Sequence, residues 1–131
     1  MTPYLHFDGT CADAFRFYDG LFNGALTLMR YGDAPEPVPG AGPADEDRIM
    51  HAELRGDGWA VMGDDVATGQ TAPKGASIMH VVADMAAGRA LCDGLADGGT
   101  VAMPFGPTFF APGFGQVTDR FGTDWMIYVD A

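Results

Sequence analysis

His6, His51 and His80 are the only imidazoles in the 131-residue chain, and each falls inside a run that reads as a strand. Alternate side chains of a strand share a face. His51 and Glu53, two apart, therefore point the same way, while Met50, Ala52 and Leu54 point the other, toward a helix. By the same reasoning His6, between Leu5 and Phe7, and His80, between Met79 and Val81, turn to the interior with them. Three imidazoles and one carboxylate form the type of donor set that zinc, nickel, manganese or iron accepts. Glu53 could also move a proton as a catalytic base beside such an ion, or share one with His51 without any metal. The plainer alternative is that strand histidines are packed, hydrogen-bonded residues, since no HxH, HxxxH or HExxH spacing occurs.

Around these groups the chain offers apolar wall. Residues 104–113 read PFGPTFFAPG, with Phe105, Phe109 and Phe110 among three prolines. Such a stiff segment is poorly suited to bare exposure, and it serves either as a lid over an apolar ligand or as cover for a sheet edge or a dimer seam. Met126, with Met62 and Met103, suits an adaptable cavity, whereas Trp59 and Trp125 read as core. Cys11 and Cys92 have no second cysteine at metal-finger spacing and read as buried free thiols, a disulfide being the alternative. GxSxG, GxGxxG and Walker A patterns are missing, which argues against a serine hydrolase or a nucleotide site. Asp119 and Arg120 read as a turn ion pair.

The elements that must position these groups follow a repeated order. A strand over 3–7 leads to a helix opened by Thr10 and Asp13, whose face is Ala14, Phe15, Phe17, Tyr18, Leu21 and Phe22, and which Asn23-Gly24 stops. Strands are expected over 25–30, 48–54 and 59–62, the last two joined by Gly56-Asp57-Gly58. A strand over 77–83, a helix capped by Asp84 and ended by Gly98-Gly99, and strands over 100–103, 115–118 and 125–129 repeat the pattern. Asp19-Gly20-Leu21, Gly24 and Met29 overlie Asp93-Gly94-Leu95, Gly98 and Met103 at an offset of 74. Gly56 and Trp59 overlie Gly122 and Trp125 at an offset of 66. The change falls in the long first-half loop over 31–47, with four prolines and three glycines.

The length is that of one domain, and 47% apolar residues suffice for a core. Seven basic against 18 acidic residues give a net charge of -11, which repels phosphate backbones and anionic lipid, so no nucleic acid and no membrane is expected as partner. The opening MTPYLHFDG has neither a basic nor an apolar leader region, and a cytoplasmic location is expected.

Two βαβββ units can curve their sheets around one cavity. The run Pro3-Tyr4-Leu5-x-Phe7-Asp8-Gly9, the pair Phe17-Tyr18 before Leu21-Phe22-x-Gly24, the segment Ile49-Met50-His51-Ala52-Glu53-Leu54 and the block Gly115-x-Val117-Thr118-Asp119-Arg120-Phe121-Gly122-x-x-Trp125 carry a resemblance over nearly the whole chain. They resemble the PhnB-like branch of the glyoxalase, bleomycin-resistance and extradiol-dioxygenase superfamily, the vicinal oxygen chelate proteins. The resemblance implies an α+β fold, a single domain over 1–131 with modules at about 1–66 and 76–131, a cup-shaped small-molecule cavity and a homodimer. It also implies a divalent metal held by a histidine on the first strand of each module and a carboxylate on a later one, for which His6, Glu53 and His80 are the candidates. Met126 stands where glyoxalases and dioxygenases carry a ligand Glu, so the four-ligand set does not carry over whole. The leading expectation is lyase or isomerase chemistry in which the metal stabilises an enediolate-like oxyanion and Glu53 moves the proton. The alternative is a non-catalytic protein that sequesters a flat or cationic small molecule in a cavity lined by His6, His51, Met126, Phe105, Phe109 and Phe110. A third is an interaction module whose aromatic loop is buried in the dimer.

Overall fold

The computed structural model describes residues 1–130. The chain divides into two compact units, Met1–Lys74 and Gly75–Ala131. The first contains β1 (Tyr4–Phe7), α1 (Cys11–Phe22), β2 (Ala25–Arg30), β3 (Ile49–Gly56) and β4 (Trp59–Asp65). The second contains β5 (Ser77–Val82), α2 (Met85–Ala96), β6 (Thr100–Gly106), β7 (Gly113–Thr118) and β8 (Asp124–Val129). The sheets have the orders β1-β4-β3-β2 and β5-β8-β7-β6, with one parallel pair each, β1 with β4 and β5 with β8. This is an α+β protein of two βαβββ modules. No helix among the described residues is long and apolar enough to cross a membrane.

In the first unit α1 forms because Cys11, Ala14, Phe15 and Tyr18 recur at helical spacing and are all fully buried against the sheet. Phe7 meets Phe15 edge to face at 6.3 Å between centroids, which fixes the helix side of β1. On β3 Ala52 and Leu54 are fully buried on that same side. Asn23 ends α1 in the left-handed region (φ 54), its N–H bonded to the Asp19 carbonyl. The start of α1 differs from expectation, because the Thr10 side chain makes no cap bond. Asp65 does that work from β4: its Oδ1 accepts from the N–H groups of Gly9 (2.9 Å) and Cys11 (3.0 Å), and its Oδ2 from Ile49 (2.9 Å). A carboxylate there also complements the helix N-terminal dipole.

That role requires β4 to run three residues past the expected end at Met62. Gly63 permits it, since a Cβ there would lie 2.7 Å from the Leu5 carbonyl oxygen and 2.9 Å from the Phe15 ring. In the second unit Asp84 caps α2 as expected, accepting from Ala87 N–H at 2.8 Å. β6 runs on to Gly106, so Phe105 is a strand residue whose ring packs on Gly88 of α2, with the Arg89 guanidinium 5.6 Å from the ring centroid. Trp125 is buried and donates its Nε1–H to Asp119 (2.9 Å), while Trp59 is half-buried against Phe22. Asp119 also accepts from the N–H groups of Phe121 and Thr123. Arg120 pairs with Asp97 at 3.1 Å, so the expected Asp119–Arg120 ion pair is replaced by these contacts.

Candidate functional site

The open face of the first sheet, opposite α1, carries three polar rings, Tyr4, His6 and His51. β1 and β4 run parallel in the register that sets His6 beside Asp64. Both side chains leave the sheet away from α1, and His6 Nδ1 lies 2.8 Å from Asp64 Oδ1. The pair is partly shielded, with side chains 32% and 21% exposed. A carboxylate can only accept, so Nδ1 carries the proton, and in the neutral form of the ring Nε2 is the acceptor. Tyr4, two residues before His6, packs its ring 5.3 Å from His6 and 5.9 Å from His51, and its hydroxyl lies 3.3 Å from His51 Nδ1. Burial, and then the Asp64 charge, push the Tyr4 phenol up to about 12, so it stays protonated and able to donate.

A cavity of about 280 Å³ opens on the His6–Asp64 pair, with Tyr31, Gln70 and Thr71 as its other polar walls and Pro39 and Pro73 among its apolar ones. That is close to the lower bound of small-molecule sites, roughly 300 Å³. The long loop and the segment after β4 make these walls, and Asp45 ties them together. Its carboxylate accepts from Thr68 Oγ1 (2.7 Å), Gly42 N–H (3.0 Å) and Thr68 N–H (2.9 Å). These bonds hold its carboxyl down at about 2. Tyr31 donates its hydroxyl to the Asp65 carbonyl at 2.7 Å, which fixes the ring in the wall. The loop itself encloses a second hollow of about 370 Å³ lined by Tyr31, Glu36, Val38 and Glu46.

The residues singled out in the sequence are only partly brought together. His6 and His51 flank Tyr4, as above. Glu53 shares the face of His51, but its carboxylate takes the Arg55 guanidinium (2.7 Å) and forms no pair with His51. His80 turns the other way from the expected direction. Its registered neighbour on β8 is Ile127, fully buried on the α2 side, and Val82, two residues on, packs beside Gly88 of that helix. Burial accordingly lowers the His80 pKa. Met79 and Val81, which were expected to face the helix, are the exposed ones. Met126 lines a shallow hollow of about 150 Å³ on the second sheet with Gln116 and Thr118. Phe105 is packed on α2, Phe110 meets Phe114 edge to face at 5.0 Å between centroids, and Phe109 is fully exposed.

The residues therefore do not fit a bound metal ion as the sequence proposed it. Among the described residues no three of His, Cys, Asp and Glu come together in a group that could hold one. His6 and Asp64 supply one imidazole and one carboxylate, Glu53 is engaged by Arg55, and His80 lies on the helix side of its sheet. Asp64, which the sequence reading left out, is the group that gives His6 its defined tautomer.

Comparison with known proteins agrees with this architecture. The model of the Glyoxalase/Bleomycin resistance protein/Dioxygenase superfamily matches residues 3–127. Protein YjdN of Escherichia coli (strain K12) is 32% identical, over 98% of this chain and 94% of its own. The crystal structure of protein PA1353 from Pseudomonas aeruginosa is 40% identical with a TM-score of 0.88, covering 99% of this chain and 96% of that one. The PhnB protein of Bacillus cereus is 26% identical with a TM-score of 0.77, covering 98% of both chains.

Proposed function

Since this chain belongs to the glyoxalase/bleomycin resistance protein/dioxygenase superfamily, in its PhnB-like branch, we propose that it binds a small molecule at the His6–Asp64 cavity without requiring a metal. One observation carries the reading: an imidazole oriented by Asp64 through its Nδ1 opens on a cavity of about 280 Å³, and no third metal donor joins the pair among the described residues. A ligand would meet a hydrogen-bonding imidazole at His6, an amide at Gln70 and a hydroxyl at Thr71, between proline walls. Enediolate chemistry is less well supported, because it needs positive charge where the oxyanion develops, and the cavity wall has no lysine or arginine. Glu53, the earlier candidate for the moving base, is engaged by Arg55.

In this reading the protein works in the cytoplasm as a homodimer. Its two buried free thiols suit a reducing compartment, and the dimer follows from the family resemblance and is checked by sedimentation equilibrium. The functional test is a thermal-shift screen of small molecules, run with EDTA and with added zinc, nickel, manganese or iron. Hits should stabilise equally in EDTA, be lost in a folded His6→Ala variant and persist in Glu53→Gln. Stabilisation that appears only with metal and vanishes in Glu53→Gln would overturn the proposal in favour of a metal-dependent lyase or isomerase.

A further inference from the structure

We infer that the His6–Asp64 cavity selects a small organic cation, an ammonium or amidinium, over neutral and anionic molecules of the same shape. The inference rests on the binding role proposed above and adds the ligand's charge. Asp64 gives Oδ1 to His6, and its Oδ2 has no hydrogen-bond partner among the described residues. A partly shielded carboxylate with a free oxygen favours a counter-charge in the space before it.

Beyond His6, which meets Oδ1 alone, nothing in the cavity wall supplies that charge, because its lining contains no lysine or arginine. Arg48 reaches the rim, donating to the Val66 carbonyl (2.9 Å), but Asp8 at 2.7 Å and Asp45 at 3.8 Å compensate its charge. His6 gives its Nδ1–H to the carboxylate, so in the neutral ring its Nε2 offers a second acceptor to a donor-rich ligand. Gln70 and Thr71 add neutral hydrogen-bonding groups, and Tyr31 adds an aromatic wall of the type that attracts cations. The net charge of -11 raises the local concentration of cations and depletes anions around the whole chain.

The test uses three flat probes of one shape and different charge: benzamidinium, benzamide and benzoate. Each is titrated into the ¹⁵N-labelled full chain while amide shifts are followed by NMR. Benzamidinium should move the amides of His6, Asp64, Gln70 and Thr71 and bind at least about tenfold tighter than benzamide, a modest share of one ion pair at protein-surface dielectric. Benzoate should leave these amides in place. Asp64→Asn, with a folded spectrum, should bring the benzamidinium to benzamide ratio close to one. Equal binding of benzamide and benzamidinium at these amides would overturn the charge selection and leave the binding site standing. Benzamidinium shifts scattered over acidic surface residues would overturn it too. If none of the three probes moved the cavity amides, both the inference and the site beneath it would fall.

Discussion

Replacing Asp65 tests how the first unit is held together around its site. The side chain is 1% exposed and accepts three backbone N–H bonds, from Gly9, Cys11 and Ile49. In Asp65→Ala the Gly9 amide can turn to water, but those of Cys11 and Ile49 are enclosed. Each buried donor left alone costs about 1–3 kcal/mol, and the lost cap at the head of α1 adds about 1 kcal/mol. The expected destabilisation is therefore about 3–7 kcal/mol, a large part of the roughly 5–15 kcal/mol that holds a domain folded. Asp65→Asn keeps one carbonyl oxygen for Gly9 and Cys11 but turns an NH₂ toward the Ile49 donor, so one bond is lost at about 1–3 kcal/mol. Urea unfolding followed by tryptophan fluorescence measures both, with unchanged m-values checking that the transition keeps its character. An Asp65→Ala variant within about 1 kcal/mol of the parent would refute the reasoning. So would an Asn variant as damaged as the Ala one, because the number of accepted bonds would then not set the cost.

Four other outcomes follow from the same geometry. Burial first, and then the charges of Asp65 and Asp64, push the Cys11 thiol far up, and burial pushes Cys92 up to about 11. Ellman's reagent should therefore leave both unreacted in the native protein while urea-unfolded chains react promptly. Asp45 has a folded pKa of about 2, below the roughly 3.9 of an unfolded aspartate, so its stabilising effect is complete above about pH 4 and is lost as pH falls toward 2. Asp45→Asn should flatten the acid limb of stability against pH, and an unaltered limb would contradict this. Gly63→Ala should cost about 1–3 kcal/mol in urea unfolding, because its methyl group meets the Leu5 carbonyl and the Phe15 ring. Phe109→Ser should change stability by no more than about 0.5 kcal/mol in the same assay, since the ring is fully exposed.

The repeated strand and helix order was legible because its signals are local: the helical spacing of Ala14, Phe15 and Tyr18, the Asp84 cap and the alternation of Ala52 and Leu54 with His51 and Glu53. The end of β4 was not. Gly63-Asp64-Asp65 has turn composition, and it becomes strand only because Gly63 admits Leu5 and Phe15 while Asp65 caps a helix some fifty residues away in sequence. With that strand cut short, Asp64 could not be seen as the partner of His6. The face of His80 was undecidable for another reason: Ile78, Met79, Val81 and Val82 are all apolar, so alternation carries no direction until α2 docks on one side. Phe105 was read as loop because Pro104 precedes it, yet β6 lies at the sheet edge, where a proline is tolerated.

β1 is the outermost strand of its sheet and is hydrogen-bonded to β4 alone. His6 rides on that margin and Asp64 on its neighbour, so the two meet only when β1 is seated. Fraying of a margin strand takes less free energy than global unfolding and would dismantle the cleft while leaving most of the module intact. A molecule that touches both side chains fastens β1 down, and mass action then slows deuterium uptake at Leu5 and Phe7 before any change in the helix. Occupancy can thus be followed through the breathing of four residues, even for ligands too weak to shift a melting curve.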